Sequence, residues 1–100
     1  MAKGYAIVTE LIRDPALYRC YVEKAVRTIQ QAGGRIIVAD DNPTILEGAW
    51  PGSRTVVLEF DSADAARDWY DSAEYQAIVG LRRAAAESNA AILSGFEARR

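Results

Sequence analysis

The sequence predicts an α+β domain, ordered β-α-β-β-α-β, with an antiparallel sheet and both helices on one sheet face. Runs of β-branched and aromatic residues alternate with segments whose apolar residues recur every third or fourth position. Both helical segments begin at residues able to cap them, and a glycine pair closes the first. Two strand runs, Arg35–Ala39 and Thr55–Phe60, are apolar on both faces, so the sheet face without helices is expected to be covered too.

Tyr5 to Leu11 reads as the first strand. Asp14 and Pro15 then open a helix, aspartate at the N-cap and proline at the first helical position. Leu17, Tyr21, Ala25 and Ile29 recur every four residues, and Val22 and Val26 widen that stripe. Arg19, Glu23 and Arg27 lie on another face, spaced to pair in solvent. Gly33-Gly34 ends the helix, because glycine accepts a left-handed backbone without a Cβ clash.

Arg35 to Ala39 is the second strand, and Asp40-Asp41-Asn42-Pro43 is a dense turn signal. Thr44 to Glu47 reads as a short extra strand, broken by Gly48 and Pro51-Gly52. Thr55 to Phe60, TVVLEF, is the strongest strand. Ser62 caps a helix carrying Ala65, Ala66, Trp69 and Tyr70. Ser72 caps a second segment with Tyr75, Ile78, Val79 and Arg82 on one face. Ala90 to Phe96 is the last strand. This is the ferredoxin-like plan, expected as a single domain over residues 1–100. A homodimer whose sheets face each other is the simplest cover for the open face.

Composition removes whole classes of chemistry. The chain has 100 residues, half of them hydrophobic, and a formal charge of −2 with acids and bases interspersed. No basic stripe suits a phosphate backbone, so nucleic acid is not an expected partner. No apolar run approaches the roughly 20 residues that span a bilayer, and MAKGYAIVTE lacks the apolar core of a secretory signal. One cysteine, Cys20, forms no internal disulfide, and a cytoplasmic location is expected. Histidine is absent, which removes imidazole bases and histidine-ligated haem or zinc. Neither a metal nor any other cofactor is expected. Acid–base work falls to Glu, Asp, Tyr, Lys or the lone thiol, and Cys20 has no histidine to activate it.

The stretch Ile45 to Arg83, ILEGAWPGSRTVVLEFDSADAARDWYDSAEYQAIVGLRR, crowds carboxylates, arginines and aromatic rings around a strand and two capped helices. Its motifs are Leu46-Glu47-Gly48 with Trp50, Arg54, Glu59-Phe60 with Ser62, Trp69-Tyr70, Ser72, Glu74-Tyr75-Gln76 and Leu81-Arg82. Together with Lys3-Gly4-Tyr5, Asp14-Pro15, Tyr18, Tyr21 and Gly33-Gly34-Arg35, it resembles domain-of-unknown-function family 1330 over nearly the whole chain. That family is a branch of the dimeric α+β barrel superfamily. Two positions depart from its pattern: Ala6 stands where a bulky aromatic is common, and Asp61 replaces a usual proline. The first would enlarge a pocket beside the first strand; the second would loosen a strand-to-helix corner. The resemblance implies the fold strongly and the activity weakly. Superfamily relatives include cofactor-free monooxygenases, lactone isomerases, chlorite-converting haem enzymes and haem-degrading oxygenases. They use a cleft between helices and sheet, or a pocket near the dimer interface. The haem-dependent branch needs a histidine ligand, which this chain lacks.

Glu59 is the sharpest single candidate. Alternation puts Val56, Leu58 and Phe60 on one strand face and Thr55, Val57 and Glu59 on the other. A carboxylate near a buried layer either pairs with a cation or has its pKa raised, and the latter suits a general base. Arg54, Arg82 and Arg35 are its possible ion-pair partners. Glu47 could join Glu59 as a second catalytic carboxylate, or serve as a loop residue bound to Arg54 or a backbone amide. Arg82, on the inward face of the last helix, can clamp an anion or neutralise Glu59. Trp50, in a Pro/Gly loop, would close over a ligand or meet a partner subunit. Trp69 has the spacing of a core residue, and Tyr75 flanks a break between helical segments. Tyr18 and Tyr21 face the sheet from across the same cleft.

Two functions follow. One is a cofactor-free enzyme acting on a small organic acid or carbonyl compound. Glu59 and Glu47 would be its acid–base groups, Arg54 or Arg82 its anion clamp, and Trp50, Trp69, Tyr75 and Tyr18 its walls. The other is a non-catalytic module that binds a small metabolite or a partner through its dimer. The discriminator is a cavity lined by Glu59 and Arg82 against a filled interior in which they pair.

Overall fold

Four strands pair into one antiparallel sheet in the order β2-β3-β1-β4, in a computed structural model that describes residues 2–97. The strands are β1 (Gly4–Ile12), β2 (Arg35–Asp40), β3 (Arg54–Phe60) and β4 (Ala86–Ser94). The helices are α1 (Pro15–Gln31), α2 (Ala63–Asp71), α3 (Ala73–Gln76) and α4 (Val79–Ala85). The expected antiparallel α+β arrangement is the one observed.

Local chemistry sets the helix ends. Asp14 accepts a hydrogen bond from the Leu17 amide at 3.1 Å, and Pro15 occupies the first turn. At the other end Gly33 has φ 76°, while the Gly34 amide donates to Ile29 and the Gly33 amide to Gln30. Those two bonds form a Schellman closure, so the glycine pair does what its sequence position implies. Ser62 caps α2 through the Ala65 amide, and Ser72 caps α3 through the Tyr75 amide.

Register assigns the faces. Directly opposed residues share a face, so Ala6 with Ile92, Val8 with Ala90, Glu10 with Ser88, and Leu58 with Ile36 all point toward the helices. Tyr5, Ile7, Thr9, Val57 and Leu93 point the other way. The core is the helix-side layer: Ala6, Leu58 and Phe60 from the sheet meet Tyr18, Tyr21, Ala25, Ile29, Ala66, Trp69, Tyr75 and Val79 from the helices. On the opposite face Val38 and Leu93 remain 41% and 47% exposed, the apolar surface a partner would cover.

Three expectations need correction. Residues 44–47 form no strand; they lie in the loop over residues 41–53. Their β-branched residues favour extended backbone, but no strand among the described residues pairs with them. The last strand begins at Ala86 and ends at Ser94, earlier than the expected Ala90–Phe96. The alanine run ahead of it has helical propensity, yet pairing with β1 over nine rungs decides the matter. Phe96 lies beyond the strand and is exposed. The second helical region breaks into three pieces, not two.

Candidate active site

Two cavities flank a partition of aromatic side chains beneath the helices. The larger is an open cleft of about 400 Å³ between the β1–β4 half of the sheet and α2, α3 and α4. Ala6, Val8, Ala90 and Ile92 form its floor, Trp69, Tyr70 and Tyr75 its aromatic wall, and Arg67 and Arg82 its cations. The smaller, about 60 Å³, lies under α1 and is lined by Glu10, Tyr18, Tyr21, Arg54 and apolar neighbours. Val8 and Trp69 line both.

The aromatic partition is fixed by its polar handles as well as its packing. Trp69 sits 4.2 Å from Tyr75 and 5.5 Å from Phe60 between ring centres, and its indole N–H donates to Thr28 Oγ1 at 3.0 Å. The hydroxyls of Tyr21 and Tyr75 share a hydrogen bond of 2.7 Å, and Arg82 Nε donates to the Tyr75 hydroxyl at 3.3 Å. Burial raises the Tyr21 pKa well above the ordinary phenol value, with the Tyr75 contact adding to it.

Arg82 is only 5% exposed, and among the described residues no carboxylate stands within ion-pair distance of it. Burial works against its charge, but the Tyr75, Tyr21 and Glu10 groups outweigh that and raise its pKa. A buried cation without a direct anion partner is costly unless a ligand supplies one.

Glu10 is the second unusual group. It is 2% exposed, its Oε1 accepts from the Tyr18 hydroxyl at 2.6 Å, and its Oε2 is buried with no hydrogen-bond partner. Desolvation raises its pKa, opposed by the Tyr18 bond and by the Arg82 and Arg54 charges. Arg54 Nε in turn donates to the Tyr18 hydroxyl at 3.2 Å, and Arg54 binds Asp41 at the loop. Directly across from Glu10 on β4, Ser88 Oγ is likewise buried and unpartnered. Gly52, at φ 78°, packs against the Glu10 backbone so closely that a Cβ would lie 2.5 Å from its carbonyl oxygen.

The sequence candidates divide between the two sheet faces. Arg82, Trp69 and Tyr75 meet at the large cleft, while Tyr18 and Arg54 meet at the small cavity. Glu59 does not join them: it lies on the open face, where Arg35 binds it at 2.5 Å. That bond lowers the Glu59 pKa, against a smaller opposing effect of burial. Strand alternation is the reason, since Leu58 and Phe60 take the helix side. The expected grouping of Glu59 with Arg82 is therefore not formed, whether as pair or as shared cavity lining. Glu47 is exposed in the loop. Trp50 lies over the open face, its indole donating to Thr55 Oγ1 at 2.9 Å, beside Ile7 and Thr9.

Glu10 was the residue that sequence reasoning missed. The signal was present: Ala6, Val8, Glu10 and Ile12 share one face of the first strand, so a glutamate stands in phase with the apolar side.

Among solved structures the fold recurs at low identity. A protein of unknown function from Rhodopseudomonas palustris superposes with a TM-score of 0.72 at 17% identity, covering 97% of this chain and 85% of that one. SnoaB, a cofactor-independent oxygenase from Streptomyces nogalater, gives 0.70 at 14%, covering 100% and 96%. A dimeric ferredoxin-like protein of unknown function from Thermobifida fusca gives 0.53 at 15%, covering 93% and 91%. No curated protein matches the chain. The model of one family, Domain of unknown function (DUF1330), matches residues 3–96, and the chain belongs to that family.

Proposed function

We propose that this protein is a cofactor-free enzyme that moves a proton on a small organic acid or carbonyl compound bound in the large cleft. The observation that carries this reading is Arg82, a buried cation with no carboxylate partner among the described residues, on the wall of an open cleft. Arg82 holds the substrate's carboxylate. Tyr75 oxygen accepts from Arg82 and shares with Tyr21 a hydrogen bond that either hydroxyl can donate; with Tyr21 as the donor, the Tyr75 O–H is free to donate to a substrate carbonyl oxygen. Glu10 lines the adjoining small cavity rather than the cleft itself, and in this reading it serves as the acid–base group, in place of Glu59 and Glu47, from across Val8 and Trp69. Its rung follows the Val8–Ala90 rung of the cleft floor, two residues or about 7 Å along the strand. Its raised pKa makes it a better base when ionised.

In this reading Glu10 takes a proton from the carbon next to the carbonyl. The C–H electron pair moves into a new C=C bond, the carbonyl oxygen becomes an enolate, and the Tyr75 hydroxyl stabilises that charge. Delivery of that proton to a different atom, the enolate oxygen, completes a keto–enol isomerisation that needs no oxidant, while its return to the same carbon gives exchange with solvent. The cofactor-independent oxygenase among the structural neighbours supports an activity without a cofactor on this fold. A homodimer through the open sheet face belongs to the same proposal, supported by the exposed apolar residues there and by the dimeric neighbour.

Proton exchange tests the chemistry. A panel of small keto acids and enolisable ketones is incubated in deuterated buffer with a chelator, and deuterium at carbon is followed by NMR. At least one compound should exchange with the wild type, with a loss of about 100-fold or more in Glu10→Gln. Exchange that survives Glu10→Gln, or no exchange across the panel, sinks the reading.

A further inference from the structure

The cleft also carries information about the shape of its ligand. Ala6 and Ala90 lie diagonally across two neighbouring rungs of β1 and β4, with Ile92 and Val8 completing the rungs. Diagonal neighbours of this kind stand about 7 Å apart. Two methyl side chains in that position leave a shallow, flat trough in a sheet surface that larger residues would fill, open at Ala90 and closing toward Ala6, which is 3% exposed. The opposite wall is aromatic: Trp69 and Tyr75 are 4% and 2% exposed, and Tyr70 stands 5.5 Å from Tyr75 between ring centres. A slot bounded by a flat apolar floor and by rings favours a planar conjugated body, because offset and edge-to-face ring contacts add to plain area burial.

The polar ends of the slot differ. Arg67, which is exposed, is engaged with Asp71 at 2.8 Å, whereas Arg82 is buried and has no carboxylate in ion-pair distance among the described residues. A single buried guanidinium suits one carboxylate held bidentately. A cleft of about 400 Å³ is near the small end of ligand sites, which run from about 300 to 1,000 Å³.

We propose that the cleft binds a planar aromatic monocarboxylate of one or two rings, lying on the Ala6–Ala90 trough beside Trp69 and Tyr75 with its carboxylate on Arg82. This rests on the same cleft as the proposed function, whose enolisable substrates it would narrow to keto acids that carry a planar aromatic body. It concerns binding alone, so it stands or falls separately from the role of Glu10.

Calorimetric titration of the full chain with three probes tests it: 2-naphthoate, its saturated decalin carboxylate analogue, and the uncharged 2-naphthylmethanol. Naphthoate should bind at least about tenfold tighter than either of the others. Arg82→Gln should lose that preference over the alcohol. Ala90→Leu, at a position exposed to the cleft, should abolish naphthoate binding while keeping the wild-type melting temperature. Because Arg82 is buried and its variant could misfold, the Ala90 variant keeps the test decisive. Equal binding of the saturated acid overturns the planar requirement, and equal binding of the alcohol overturns the anion site. Absence of saturable naphthoate binding at millimolar concentration, or unchanged binding in Ala90→Leu, overturns the proposal entirely. Glu10→Gln should retain naphthoate binding whatever becomes of its proton-exchange activity, which separates the two readings.

Discussion

A carboxylate whose pKa is raised by burial leaves a signature that ordinary surface glutamates do not. The folded protein resists ionising Glu10, while the unfolded chain ionises it near the ordinary value of 4.5. Stability linked to the protonated form is whole below that value and is lost as pH rises through the higher folded pKa. Glu10→Gln keeps a neutral side chain of similar shape and removes that loss. Its melting temperature should therefore gain on the wild type as pH rises from about 4 to about 8. A difference that stays constant over that range would show that the folded protein ionises Glu10 as readily as the unfolded chain. Glu59 has the opposite sign, because the Arg35 bond stabilises its charged form. Two glutamates on neighbouring strands thus differ because one faces the helices and the other an arginine on the open face.

At the scale of elements, the break between α2 and α3 is what shapes the aromatic wall. Ser72 serves both helices: its hydroxyl donates to the Trp69 carbonyl and accepts from the Tyr75 amide. One side chain therefore ends the helix that carries Trp69 and starts the helix that carries Tyr75. Ser72→Ala removes both bonds and should cost about 0.5–2 kcal/mol in denaturant unfolding, the range for a lost helix cap. It should also weaken ligand binding, since the two rings on either side of Ser72 are then held only by packing and by their own side-chain hydrogen bonds. A stability loss with unaltered near-ultraviolet circular dichroism would mean that those contacts suffice to place them. The loop over residues 41–53 is a second element tied to the site, through Gly52 on the Glu10 backbone and Asp41 on Arg54.

For the whole molecule, the sheet leaves one face without helices, and that face carries Ile7, Val38, Val57 and Leu93. Trp50 folds over only part of it. A chain of 100 residues gains much from burying such a surface against a second copy. Sedimentation at micromolar concentration should give a dimer, and Leu93→Lys, placing a charge among the exposed apolar residues of the face on its β4 edge, should shift it to monomer. A wild type that sediments purely as monomer would refute face-to-face pairing.

Much of this architecture was legible without coordinates. Asp14-Pro15 and Gly33-Gly34 bound the first helix, Ser62 and Ser72 start the later ones, and TVVLEF alternates as a strand must. Such signals are local: a cap or a period needs only residues a few positions apart. The inward side of Arg82 and the coverage of Trp69 followed from helical spacing in the same way. The length of β4 did not, because β1 imposes its partner's extent from across the chain. Nor did the site. Glu59 and Glu10 both sit on strands at alternating positions, and sequence alone ranks the one in the more crowded stretch higher. Only the packed structure places Glu10 beneath the helices with an orphaned oxygen and Glu59 beside Arg35. Propensity and capping are decided along the chain, whereas burial and charge pairing are decided by which strands become neighbours.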